Sequence, residues 1–224
     1  VVGGGFLTKY KGTRNEVYQR YHYNAYRMLI DIAEHFNVYL SEVTFDLIIE
    51  FFETSFKIRF VYFESDLMYN WLPNKKQELK YQLTTKNALT LVDYGFCSVC
   101  SGVTIPDFET GRYVVYINQD VVKSRVMFTI LHELTHIYCH LVDSVYDKVL
   151  VSKTSSKYSD SYPPEIKPLE DEANTIASIL FLNDQRLLKH INNGLTFDQL
   201  KEKSQMSAPA LHNRLMNFLM YNCH

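Results

Sequence analysis

Across residues 15–37 the apolar positions Val17, Tyr21, Ala25, Met28, Leu29, Ile32, Ala33 and Phe36 recur at steps of three and four. That period predicts one long helix with a continuous buried stripe. A second helix is expected from a cap at Ser41 to about Ser55, with Glu42 and Asp46 in its early turns. Its Val43, Leu47, Ile48 and Phe51 point to a core. The period then changes to two. Over residues 57–63, Ile58, Phe60 and Tyr62 alternate with Lys57, Arg59, Val61 and Phe63, which predicts a strand. Residues 89–96 predict a second strand, and Arg112–Asn118 the strongest of all. Helical spacing returns over residues 121–141 and again over 165–182, where Ala173, Ile176, Ala177 and Leu180 make a small-residue apolar stripe. The chain then reads as short helices over 185–224. Residues 197–201 and 206–215 have helix-turn-helix cadence, with Ser207 as cap and Leu211, Leu215 and Leu219 as core.

These elements predict an α+β protein, mostly helical with a small sheet. The expected division is an N-terminal extension and helix (1–40), a central domain (41–184) and a C-terminal helical subdomain (185–224). The polar connection at 143–164 ends in Tyr162-Pro163-Pro164. A connection this long in a compact domain is functional or mobile, and a flap is expected of it.

Composition narrows the class. The 224 residues are 46% hydrophobic and 21% charged, with 17 Tyr and 14 Phe, as in a globular protein. A net charge of −2 excludes a chain-wide electrostatic grip on nucleic acid. Residues 165–224 carry seven acidic against six basic side chains, so Lys201, Lys203 and Arg214 give little support to DNA binding. The first 27 residues hold five basic side chains against Glu16, which suits a solvated tail or an acidic partner. No run approaches a membrane span, and Val1-Val2-Gly3-Gly4-Gly5 lacks the marks of a signal peptide. Cys97, Cys100, Cys139 and Cys223 do not form a disulfide framework in a chain this long, so a reduced, cytoplasmic protein is expected. Cys97-x-x-Cys100 lacks the second pair of a zinc ribbon. Ser101-Gly102 and Pro106 predict a turn there instead of the helix a redox pair would open.

The chemistry sits in Phe128-Thr129-Ile130-Leu131-His132-Glu133-Leu134-Thr135-His136. On a helix His132 and His136 share a face one turn apart, a spacing that lets two imidazoles hold one metal ion. Glu133 can reach a water beside that ion. Two nitrogens, an open position and a nearby carboxylate are the parts of metal-assisted hydrolysis. His140 continues the line, but the rise from His132 totals about 12 Å, so it packs behind the ligands or supports them. Cys139 lies near the same face. His22 and His35 are not spaced as a pair and read as structural. Glu170 lies at the edge of the small-residue stripe and can face a neighbouring helix as a third ligand. Arg112–Asn118, just before the metal helix, could pair its backbone with an extended substrate peptide. The competing class is a regulator that uses the same ligands for a structural metal and binds a repressor or DNA without cutting it.

A strand ending in Ile117-Asn118, then Arg125-x-x-Phe128-Thr129-x-x-His132-Glu133-Leu134-x-His136, then Glu170-x-Glu172-Ala173-Asn174-x-x-Ala177-x-x-Leu180, resembles the ImmA/IrrE family of zinc metallopeptidases. The resemblance covers roughly residues 40–220. Ile176 stands where the family usually has Phe and Thr135 where it has Gly; Phe181-Leu182-Asn183 replaces its Leu-Met-Pro-like ending. It implies a gluzincin-like enzyme with one zinc ion on His132, His136 and a downstream glutamate. Glu170 fits that place, with Glu172 the alternative, and Asn174 would support a ligand histidine. Glu133 would act as general base, and Tyr158, Tyr162 or His140 would donate to the oxyanion. The implied substrate is a helix-turn-helix repressor, whose cleavage derepresses a mobile element, a prophage or stress genes.

Overall fold

A computed structural model describes residues 12–63, 100–107, 110–118, 121–141, 150–153 and 166–222. The chain divides into two units: residues 1–51 with 163–224, and residues 52–162, which are inserted between them in sequence.

The first unit is helical. Helix α1 (Arg14–Phe36) starts at a reciprocal cap. Thr13 Oγ1 accepts the Glu16 N–H at 3.3 Å, and Glu16 returns a carboxylate oxygen to the Thr13 N–H at 2.6 Å. Asn37 ends it in the left-handed region at φ 52°, which asparagine tolerates better than most residues. Its buried face is Tyr18, Tyr21, Ala25, Met28, Leu29, Ile32 and Ala33, so Tyr18 is buried where the sequence put Val17. A 3₁₀ turn at Leu40–Glu42 precedes α2 (Phe45–Ser55). Ser41 lies inside that turn and does not cap α2 as expected; Thr44 Oγ1 accepts the Leu47 N–H at 3.4 Å instead.

Helix α4 (Lys167–Phe181) carries Pro168 in its first turn, where a missing N–H costs nothing. It packs along α1. Ala173 and Ala177 on α4 and Ala25 on α1 are wholly buried, and such small side chains permit close approach of two helices. Helices α5 (Asp184–Asn192), α6 (Phe197–Ser204) and α7 (Ala208–Asn222) follow, with α7 against both α1 and α4. Asn183, Thr196 and Ser207 each accept an N–H of the first turn of their helix. The buried face of α7 is Leu211, Arg214 and Phe218, not Leu211, Leu215 and Leu219: Leu215 is half-buried and Leu219 is 55% exposed.

Among the described residues, the second unit holds a four-stranded mixed sheet with a helix on it. Its strands are β1 (Arg59–Phe63), β2 (Cys100–Asp107), β3 (Arg112–Asn118) and β4 (Leu150–Lys153), in the order β1-β3-β2-β4. β3 runs parallel to β1 and antiparallel to β2, with Tyr116 opposite Val61 on one side and Val103 on the other. Both edges of β3 are therefore occupied by neighbouring strands, and it cannot pair with a substrate peptide as expected. Its continuous burial from Val114 to Asn118 marks an interior strand. Residues 101–106 do not turn. Gly102 and Pro106 both lie within β2, and Pro106 sits near its end, where a lost donor is tolerated. The connection after residue 141 contributes β4, antiparallel to β2. The strand expected over 89–96, Cys97, and the flap residues Tyr158 and Tyr162 lie outside the described residues. Among the described residues no helix is long and apolar enough to cross a membrane.

Candidate metal centre

Helix α3 (Lys123–His136) lies on β2, β3 and β4 of the second unit. Every residue from Thr129 to His136 is buried, so two full turns are enclosed on all sides. Leu131 and Leu134 fill apolar contacts; His132, Glu133 and His136 are the ionisable side chains taken inside with them. Burying three such groups is costly unless each meets a partner.

The partners within this unit are specific. His132 Nε2 and His136 Nε2 face one another at 2.9 Å. Two imidazole lone pairs at that distance repel in a dry interior unless a proton or a cation lies between them. His136 Nδ1 faces His140 Nδ1 at 2.8 Å, so one of those two nitrogens carries the hydrogen. A hydrogen on His136 Nδ1 leaves its Nε2 as the lone-pair donor, the tautomer a metal ligand needs. His140 is brought into this line by a change in the helix. After His136 the backbone widens into a π turn, Ile137–Leu141, and such turns recur where side chains must be re-aimed at functional sites. The same turn sets the Tyr138 ring 6.1 Å from Phe56 and 6.5 Å from Phe52. Cys139 is half-buried.

Glu133 is completely buried, and one of its oxygens accepts the Thr104 hydroxyl from β2 at 2.7 Å. The sequence did not single out Thr104. A threonine in a strand is ordinary, and no local spacing connects it to a residue 29 positions later.

In the first unit, Glu170 is 2% exposed in the first turn of α4. Glu172, two positions on and about 200° around the helix, is turned to α1, where it accepts the Asn24 amide at 2.7 Å. Glu172 is thus occupied in helix packing, and Asn24 is its unforeseen partner. Asn174 is exposed. His132 and His136 offer two imidazole nitrogens, and Glu170 is a buried carboxylate, donor types that are compatible with a metal ion. Nitrogen and oxygen donors suit zinc and also other first-row divalent ions.

The family model Peptidase_M78, described as the IrrE N-terminal-like domain, matches residues 101–216, more than half of the chain. No curated protein and no solved structure matches.

Proposed function

The chain belongs to the Peptidase_M78 family of IrrE N-terminal-like domains, a membership that points to a metallopeptidase type of function, and from that premise we propose a zinc-dependent endopeptidase of the gluzincin kind that cleaves a helix-turn-helix repressor. The observation that carries this reading is the buried pair His132 Nε2 and His136 Nε2, 2.9 Å apart, with Glu133 enclosed on the same helix. Glu170 is the proposed third ligand, since Glu172 is engaged with Asn24.

A divalent ion held there supplies Lewis acidity, acidifying a water and polarising a peptide carbonyl. Glu133 would serve as the base that takes a proton from the attacking water and returns it to the leaving amine. His136, with its Nδ1 turned to His140, keeps Nε2 directed at the ligand position. The enclosure of Thr129–His136 keeps bulk water from the base. An extended substrate would pair with β4, an outer strand of the sheet among the described residues. Helices α6 and α7 follow one another across residues 205–207, and this pair is the proposed helix-turn-helix-like tail for a protein partner. Arg214 is buried and ion-paired with Asp184, which removes one of its few cations from any phosphate contact.

The test is cleavage of the repressor-like protein encoded beside this gene, by wild type and Glu133→Gln with the metal in each quantified. Wild type is expected to make a single cut, and the metal-loaded variant to be slower by about 10²–10⁴-fold. Tight complex formation without any cut by either would replace the enzyme with a metal-stabilised regulator.

A further inference from the structure

We propose that β2 is the positioning element for Glu133: Thr104 fixes its carboxylate, and Gly102 is the gap that admits it. The inference rests on the peptidase reading for its purpose, and on the contact of α3 with β2 for its geometry. Arg125, Thr129 and Glu133 follow each other at four-residue steps along α3, and each meets β2. Arg125 Nη2 donates to Ser101 Oγ at 3.2 Å, and Thr104 Oγ1 donates to Glu133 Oε2 at 2.7 Å. Between these two bonds lies Gly102. A Cβ there would stand 2.6 Å from Thr129 Cγ2 and 3.2 Å from both Cγ and Oε1 of Glu133. Any side chain there would have to displace the Thr129 methyl and would crowd the Glu133 side chain. Gly102 and Thr104 are two apart on a strand and so share the face turned to α3. The pairing of β2 with β4 slips between Cys100 and Gly102, a bulge of the sort that re-aims a strand beside a site.

The consequence is mechanical. A glutamate has three rotatable bonds, and a base that samples several rotamers spends little time aligned with its proton. The Thr104 hydroxyl donates to Oε2 and holds the side chain in one orientation. Misplacement of a reacting group by about 1 Å can cost on the order of 10²-fold. A valine would fill the same volume without the hydroxyl, so the strand position alone does not demand threonine.

The experiment compares Thr104→Val, Thr104→Ser and Gly102→Ala in the full, metal-loaded chain, on the repressor-like substrate. Thr104→Val is expected to lower kcat about 10- to 100-fold, with KM and bound metal unchanged, and Thr104→Ser to recover to within about fivefold of wild type. Gly102→Ala is expected to lower kcat at least as far as Thr104→Val. A second readout needs no activity: a double-mutant cycle of Thr104→Val and Glu133→Ala in denaturant unfolding. It should show a coupling of about tenfold in the unfolding equilibrium constant. Full kcat in Thr104→Val, or equal impairment of Thr104→Ser, would overturn the proposal. So would additive unfolding effects in a chain that still cleaves. A wild type that cleaves nothing, with the coupling intact, would instead remove the peptidase reading and the catalytic purpose of the contact with it.

Discussion

Two groups of buried polar side chains, one in each unit, are assembled on opposite rules. In the first unit opposite charges meet. Asp184 accepts the Arg214 guanidinium on one oxygen, and its other oxygen lies 2.6 Å from His22 Nε2. Arg214 is 1% exposed and donates its Nε to the Leu182 carbonyl at 2.9 Å. Burial pushes the Asp184 carboxyl up, but the His22 hydrogen bond and the Arg214 charge outweigh it and hold the group below its usual range. In the second unit like meets like: imidazole nitrogen faces imidazole nitrogen twice in the line His132, His136, His140. The first group compensates itself and ties α1, α5 and α7 together. The second converges donors of one kind on a point, which shared protons or a cation must satisfy. Arg214 is as buried as the three histidines of the line, so burial of a polar side chain does not tell a site from a strut. The chemical sign of the neighbours does.

That contrast can be broken in three ways. The largest effect is expected from His136→Ala, which should weaken metal binding by about a thousandfold, since each ligand carries several kcal/mol of binding. Competition against a chromophoric chelator reads this directly, and retention of wild-type affinity would end the distinction between the two groups. Next, Asp184→Ala strips the carboxylate from a buried guanidinium and should destabilise the chain by about 3–5 kcal/mol. Denaturant melting measures it, while the folded fraction should hold metal as before; a loss under about 1 kcal/mol would deny the group its structural role. The smallest effect is in acid. The Asp184 carboxyl is held below its usual value in the folded chain. Its stabilisation is therefore fully present above the unfolded value near 4, and is lost as pH falls through the lower folded value. In Asp184→Asn that acid-labile part should vanish, so wild type and variant should converge as the pH drops below 4. Curves that stay parallel would contradict the assignment.

The sequence showed what is encoded within a few residues. His132 and His136 were legible because their spacing is a property of one helix. The α1 stripe was legible for the same reason, with an error of one position at Tyr18. What the sequence hid depends on partners distant along the chain. The strand at Arg112–Asn118 was found, but not that β1 and β2 flank it, because alternation says nothing about how many edges are paired. Gly102 and Pro106 read as a turn by local preference; sheet pairing overrode that preference, and close approach to α3 gave the glycine its reason. On α7 an arginine took the buried place where a leucine was expected, since Asp184 waits 30 residues earlier. Glu170 was preferred to Glu172 from its place on the small-residue stripe, but the bond between Glu172 and Asn24, on another helix, left no mark in the local sequence.

The inserted order of the units has a consequence for biosynthesis. The buried face of α1 is complete when residue 36 has been made, yet α4, its main neighbour in the same unit, begins at Lys167. At typical elongation rates the ribosome takes roughly ten seconds to cross that interval. Throughout it, Tyr21, Met28, Leu29 and Ile32 have no α4 to cover them, while the whole of residues 52–162 emerges and can fold first. The nascent chain therefore carries a sticky helix tethered ahead of a finished sheet. Chaperone demand should fall on that interval, and ribosome stalling between residues 60 and 160 should be the condition under which this protein aggregates most readily.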